Sequence, residues 1–427
     1  MGANDLNDGR KGQKAGPGNL ERVPGIEPGY SAWKAAALPL SYTRAAPDMP
    51  LWGGFGKMLR AALPNLETHA PRPTIGKTKT GGAMADLFAP WGFWSGLPCA
   101  VEAAPPPFAT LDAVLLDLPT LELRGRSGDR GRKGVPVLIV APFALHDAAI
   151  ADFADGFSLA AVLDLAGPVA LTRWKSATAE MRLLTIDSYL AEFNVAVDEL
   201  GGRVVLVGLC QGGWLAVVYA ARFPQKVAAL VVAGAPIDLA AAPSQIVENV
   251  AATPAFWLHG YLSAFGGLAP GEHRRAQWSR ESLDTTAREA LQRAPTPAQQ
   301  AAFDRWNGFT LALPGAFFAQ ATEWLFRENR LARGCFCALG KACDLGAITA
   351  PIFVLAAAGD VVIPPPQTLA LQHLCPRAKV SARVAPGVHL SLFMGADMLA
   401  GPWREIAGEL AGLSRSRSSR SRERDAS

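Results

Sequence analysis

The chain has 427 residues, half of them hydrophobic and 18% charged, a balance that implies a large buried core. Its net charge is +4, and five arginines less Glu423 and Asp425 place +3 of that within residues 414–427. The rest is therefore near neutral, which argues against a basic face for nucleic acid, and six irregularly spaced cysteines exclude a disulfide framework.

No apolar run reaches the ~18 residues of a membrane span. The opening MGANDLNDGRKGQK lacks the charged-then-apolar pattern of a secretory signal. The expected compartment is a reducing cytoplasm.

Residues 1–83 are rich in Gly, Pro and scattered charge, without a sustained helical or strand period, and are expected to be a disordered or spurious extension. The segment GIEPGYSAWKAAALPLSYTR reads like a transfer-RNA gene translated as protein, which favours Met84 over Met1, Met49 or Met58 as the start. From Met84 the texture changes. An aromatic stretch, ADLFAPWGFWSGL, precedes LDAVLLDLPTLELRG, whose alternation predicts an edge hairpin. VPVLIVAP and PVALTRW (168–174) are short apolar runs of the kind found in buried parallel strands. Ile186, Tyr189, Leu190, Phe193, Val197 and Leu200 share one face of a predicted helix. A strand at Val204–Val207, a helix from Gly212 to about Arg222 and a strand at Ala228–Ala233 follow. The polar, helical stretch at about 239–325 is read as an inserted cap. Strands resume in PIFVLAAAGD (351–360) and KVSARVAPGVH (379–389), and a last helix is expected from about Pro402 to Leu413. Residues 414–427 are a low-complexity basic Ser/Arg tail, expected to be disordered. Strands alternating with helices predict an α/β protein with a mostly parallel, doubly wound sheet, here spanning 84–413.

The strongest chemical signal is VVLVGLCQGGWLAVVYAARFP, in which an apolar strand reaches Gly208 and Leu209-Cys210-Gln211-Gly212 opens a helix. This is the G-x-nucleophile-x-G elbow of the α/β-hydrolase fold, with Cys210 in the nucleophile position. A Cβ at Gly208 or Gly212 would collide with backbone there, and the helix N-terminus favours thiolate and oxyanion alike. The alternative is a tight strand–helix turn around a buried cysteine. On this fold the acid and base follow the nucleophile in that order. Asp360 stands at the end of a strand, where the alternative is a loop aspartate capping the next helix. His389 stands after the next strand, with His146 as its rival. His69 falls in the extension, His259 and His273 in the cap and His373 in a helix. Backbone N–H groups of Gln211 and of Phe143 or Ala144 would form the oxyanion hole. Since a cysteinyl acyl-enzyme is itself a thioester, exchange with a thioester substrate is nearly isoenergetic, which favours acyl transfer over ester hydrolysis.

The segments LVGLCQGGWLAVVYAARFPQKVAALVVAGAPID and FTLALPGAFFAQATEWLFRENRLARGCFCALGKACDLGAITAPIFVLAAAGDVVIPP resemble polyhydroxyalkanoate synthases, especially the short, two-subunit kind. The resemblance covers much of 135–395 and implies Cys210 as nucleophile, Asp360 as acid and His389 as general base. It also implies a 3-hydroxyacyl-coenzyme A and a growing polyester chain as substrates; no cofactor or metal is expected, the choice between a homo-oligomer and a second subunit stays open, and polyester granules are a candidate place of work. The sequence departs from that family at Val361, where a histidine is usual, at Gly387-Val388-His389 and at Arg173-Trp174-Lys175-Ser176. A polyester depolymerase or thioesterase on the same scaffold is the alternative, and a non-catalytic granule- or partner-binding homologue a second one. Cys335, Cys337 and Cys343 lack a fourth ligand at metal spacing and are expected to be packed and reduced. Trp257, Trp278, Trp306 and Trp324 are expected to pack the cap or to line an acyl pocket.

Overall fold

In the computed structural model, residues 104–129, 131–280 and 283–413 are described. The extension expected over 1–83, the aromatic stretch after Met84 and the tail 414–427 lie outside them.

Apolar runs become the strands of one eight-stranded sheet. They are β1 (Ala113–Asp117), β2 (Leu121–Gly125), β3 (Val137–Val140), β4 (Val169–Trp174), β5 (Val204–Leu209), β6 (Val227–Ala233), β7 (Ile352–Ala357) and β8 (Val380–Ala385), in the spatial order β1-β2-β4-β3-β5-β6-β7-β8. From β4 to β8 every pairing is parallel, while β1–β2 and β2–β4 are antiparallel. The sequence patterns have a direct cause. Every residue of β3, β5, β6 and β7 is buried, so these strands are unbroken by any polar residue and consist of Val, Leu, Ile and Ala apart from Gly208 and Phe353. Burial alternates along β2, and β8, an edge strand, buries none of its residues fully.

Helix α1 (Ile186–Glu199) buries Ile186, Tyr189, Leu190, Phe193 and Val197, the face expected from the spacing; Leu200 is its C-cap. Helix α2 (Gln211–Arg222) starts one residue before the expected position and is buried from Gly212 to Ala221. An all-round apolar helix of this kind belongs inside a sheet–helix layer. Residues between β6 and β7 form α3 (Gln245–Ala252), α4 (Ala255–Ala264), α5 (Gly271–Arg280), α6 (Ala287–Leu291), α7 (Pro297–Gly308) and α8 (Gly315–Gln320), the last continuing as a π-helical segment at Ala321–Arg327. Thr286 with Glu289 and Thr296 with Gln299 form capping boxes that start α6 and α7. The C-terminal helix opens earlier than expected, as a π-helical turn at Leu399–Trp403 that contains Pro402. Proline has no N–H to give, and the wider turn accommodates the missing bond.

Candidate active site

Cys210 joins the end of β5 to the first turn of α2 with φ 47° and ψ −119°, a conformation that a side chain strongly disfavours. Two backbone bonds hold it there: its N–H donates to the Ala233 carbonyl at 2.9 Å, and its carbonyl accepts from Gly213 at 2.8 Å. Flanking glycines make the turn possible. A Cβ on Gly208 would sit 2.5 Å from the Gly213 Cα, and one on Gly212 would sit 2.1 Å from the Val140 carbonyl oxygen. The glycine requirement read from the sequence therefore has a steric cause at both positions, and the side chain of Cys210 remains half-buried.

The chain brings Asp360 and His389 together from the loops after β7 and β8. His389 Nδ1 lies 2.7 Å from Asp360 Oδ2, and both residues are buried. Asp360 Oδ1 accepts from the N–H groups of Val362 and Ile363 at 2.9 and 2.8 Å. The two oxygens have separate partners: Oδ1 caps the following turn and Oδ2 pairs with the imidazole. The two loops are tied directly, since Gly359 N–H donates to the Gly387 carbonyl at 2.9 Å. Ser391 pins the histidine loop, its hydroxyl accepting from Val388 N–H at 2.9 Å and donating to the Val388 carbonyl at 2.7 Å. Gly234 leaves room for the ring, for a Cβ there would lie 3.4 Å from His389 Cε1 and 2.7 Å from Leu392. Phe393 covers the ring edge-on at 5.3 Å.

The Cys210 sulfur lies close enough to His389 to act on it electrostatically, which orders the three residues as Cys210, His389 and Asp360. Burial by itself depresses the imidazole pKa, but the Asp360 carboxylate and the Cys210 sulfur outweigh it and push the value up to about 10. His146 is placed elsewhere. Its Nδ1 is 3.1 Å from the Phe309 carbonyl, its ring packs on Trp306 at 4.6 Å, and burial takes its pKa down to about 4. His373 is exposed on a short helix, and His273 lines a cavity.

That cavity, of about 250 Å³, is lined by Gln211, Phe143 and Ala144 together with residues of α3, α4, α5 and the segment from α8 to Arg327. Gln211 is the first residue of α2, and its side-chain carbonyl accepts from Trp214 Nε1 at 2.7 Å. The ring of Phe143 packs against Trp174, Tyr189 and Phe317 at 4.7–5.5 Å. Arg274, from α5, donates to the Ala144 and Leu311 carbonyls, so one guanidinium fastens the inserted helices to the turn after β3. Trp257 and Trp278 line the cavity, whereas Trp306 is buried on the Asp147 carbonyl and Trp324 packs against Phe336.

One expectation is corrected. Cys335 and Cys337 are exposed rather than packed; only Cys343 is buried, with its thiol pushed up to about 11 by desolvation. The tight turn at Leu339-Gly340, both at positive φ, carries this short hairpin to the surface. Sequence reasoning also missed Arg274, Gly234 and Ser391. HRRAQWSR reads as a solvated helix face, and nothing local reveals that one arginine turns inward.

The sequence model of the family described as "alpha/beta hydrolase fold" matches residues 160–395, more than half of the chain. The chain belongs to the α/β-hydrolase fold family. Its expected fold class is borne out by this match and by the mostly parallel sheet. Within that family it is similar to the poly(3-hydroxyalkanoate) polymerase subunit of Synechocystis sp., 26% identical over 279 residues, 61% of this chain and 73% of that one. The corresponding subunit of Allochromatium vinosum is 26% identical over 278 residues, 61% of this chain and 76% of its own length. The resemblance read from the two long segments is therefore to the same group of α/β-hydrolases that the whole-chain comparison finds. Among solved structures, a monoacylglycerol lipase of Paleococcus ferrophilus aligns with a TM-score of 0.44 at 14% identity, over 69% of this chain and 99% of that one. No helix among the described residues is long and apolar enough to cross a membrane.

Proposed function

We propose that this α/β-hydrolase is an acyl-transfer enzyme of the polyhydroxyalkanoate synthase type, with Cys210 as nucleophile and 3-hydroxyacyl-coenzyme A as acyl donor. The observation that supports it most is the buried His389–Asp360 pair, 2.7 Å apart, whose imidazole is raised in pKa by the Asp360 carboxylate and the Cys210 sulfur.

In this reading His389 takes the proton of Cys210, and the Asp360 carboxylate stabilises the resulting imidazolium. The thiolate attacks the thioester carbonyl. Backbone N–H groups of Gln211 and of Phe143 or Ala144 receive the oxyanion, a donor set of which each member is typically worth ~3 kcal/mol. Collapse forms the Cys210 thioester and breaks the bond to coenzyme A, whose thiolate leaves with the proton held by His389. An incoming 3-hydroxyl then gives its proton to His389 and attacks the acyl-cysteine, and Cys210 is released as thiol. Sulfur suits both halves, because a thioester is exchanged for a thioester and then spent on an ester. The place of work that goes with this chemistry is the cytoplasm, at the surface of polyester granules.

A hydrolase on the same scaffold is the second reading. Val361, exposed beside Asp360 where synthases usually carry histidine, favours it. Purified protein supplied with 3-hydroxyacyl-coenzyme A separates the two. Coenzyme A release with polymer supports the synthase; release without polymer rules it out, and shortening of added polyester without thioester turnover identifies a depolymerase. Iodoacetamide should label Cys210 and abolish either activity.

A further inference from the structure

We infer that Gln292 is a positioning residue for His389, its side-chain amide tying the inserted helices to the loop that carries the imidazole. The inference rests on reading His389 as the base for Cys210 and adds what holds that base in place.

Gln292 is the C-cap of α6, with φ 58° and ψ 19°. Glycine or asparagine ordinarily takes that left-handed conformation at a helix end, and a long side chain is disfavoured there. What the long side chain supplies is reach. Its Nε2 donates to the Pro386 carbonyl at 3.1 Å, and its Oε1 accepts from Met398 N–H at 3.0 Å. One partner is an acceptor and the other a donor, so the amide fits only one way round. The partners lie 94 and 106 residues further along the chain and flank His389.

Each bond meets a need that the histidine segment does not meet by itself. Met398 ends the first turn of the helix that opens at Ala396, where N–H groups have no partner within the helix. The N-cap is Gly395, and a Cβ there would lie 2.6 Å from the Ser391 carbonyl oxygen and would also collide with Gln292 Oε1. The serine, threonine or aspartate that usually caps a helix is therefore excluded, and Gln292 serves as the cap from outside. Pro386 precedes Gly387, whose φ of 152° only glycine adopts readily. The bond from Gln292 to the Pro386 carbonyl restrains this flexible point on one side, as Gly359 N–H does at the Gly387 carbonyl. The anchor itself is firm: α6 buries Ala287, Ala290 and Leu291, and the guanidinium of Arg293 lies over the Phe157 ring at 4.1 Å.

Three substitutions separate the tie from the cap. Gln292→Glu keeps an acceptor for Met398 N–H and loses the donor to Pro386; Gln292→Lys keeps a donor and loses the acceptor; Gln292→Met loses both. Iodoacetamide alkylation of the full chain at neutral pH, read peptide by peptide, reports on Cys210, with the exposed Cys335 and Cys337 as references in the same sample. Gln292→Glu and Gln292→Met should each slow Cys210 alkylation about tenfold, less than the ~100-fold that a 1 Å misplacement costs, and leave Cys335 and Cys337 unchanged. In coenzyme A release from 3-hydroxybutyryl-coenzyme A, kcat should fall by a similar factor with KM within about twofold. Gln292→Lys should restore alkylation and kcat to within about twofold of wild type, yet melt at a lower temperature, as Gln292→Met does. A purely structural role predicts the reverse, with Gln292→Glu like wild type and Gln292→Lys impaired, and that result overturns the inference. Unchanged Cys210 alkylation in folded Gln292→Met overturns it too, whether or not the carboxylate variant folds. His389→Gln, measured in parallel, tells the two failures apart. If it slows Cys210 alkylation while the Gln292 variants do not, the inference alone falls; if it has no effect, the reading of His389 as base falls and the inference with it.

Discussion

Replacing Asp360 by asparagine isolates the electrostatic part of the site from its shape. Asp360 Oδ1 receives two backbone N–H bonds, from Val362 and Ile363, so in the variant the amide oxygen must stay there and the NH2 must take the place of Oδ2. That NH2 faces His389 Nδ1, which was 2.7 Å from the carboxylate, and a donor can be satisfied only if Nδ1 is an acceptor. The imidazole is then forced into the tautomer protonated on Nε2, the nitrogen left to face Cys210, and it has no lone pair there for the thiol proton. A wrong-tautomer histidine in a triad lowers kcat about 10⁴-fold, or ~5 kcal/mol in the barrier. Cysteine is intrinsically more acidic than serine and depends less on its base, so a loss of about 10³-fold is expected here. Folding should change little, by ~1–3 kcal/mol for the lost charge-assisted bond. Single-turnover acylation by 3-hydroxyacyl-coenzyme A, followed with the rate of iodoacetamide alkylation of Cys210 across pH, measures the effect. A loss below about tenfold with an intact fold would refute the role given to this pair.

Gly212→Ala should destabilise by more than ~3 kcal/mol, because the added Cβ meets two backbone carbonyls, of Val140 and Ala141, and neither can yield without moving β3. Gly260→Ala, in α4 with open space around it, should instead stabilise by about 0.5–1 kcal/mol; thermal unfolding of both variants checks the contrast. The raised pKa of His389 contributes stability that is full below the unfolded histidine value and is lost as pH rises through about 10, so His389→Gln should flatten the alkaline limb of a denaturation–pH profile. His146 has the opposite sign: the fold holds it neutral, its pKa is down at about 4, and stability should fall as pH drops from the ordinary histidine value towards 4, a slope that His146→Gln removes. Arg274→Met leaves the Ala144 and Leu311 carbonyls without their donor, and should lower kcat about tenfold or more with KM less affected, as expected if the guanidinium positions the turn after β3.

Much of the scaffold was legible because its signals are local. A fully buried parallel strand needs an unbroken apolar run, and a turn that admits no Cβ needs glycine, so β3, β5, β6, β7 and the Gly208–Gly212 elbow stand out in the sequence. Asp360 and His389 were legible by position, each following a strand at the same sheet edge. What escaped depends on packing across long separations. Arg274 bonds a carbonyl 130 residues away, and its own helix is polar enough to look solvated throughout. The division of four tryptophans into two that line the cavity and two that pack was equally invisible, because spacing shows that a residue lies on a face and not what that face covers. Cys335 and Cys337 were misjudged because free cysteine is usually buried, and only the hairpin geometry brings them out.

The cavity has two walls of very different build. On one side Phe143 is set among Trp174, Tyr189 and Phe317, so the turn after β3 is anchored in a cluster of aromatic rings. On the other side α3 has no buried residue at all, and α4 has only Leu258 and Leu262. Local opening follows the path with fewest buried apolar contacts to break. The turn after β3 thus forms the rigid jaw of a clamp, and the α3–α4 side is the jaw that opens at least cost.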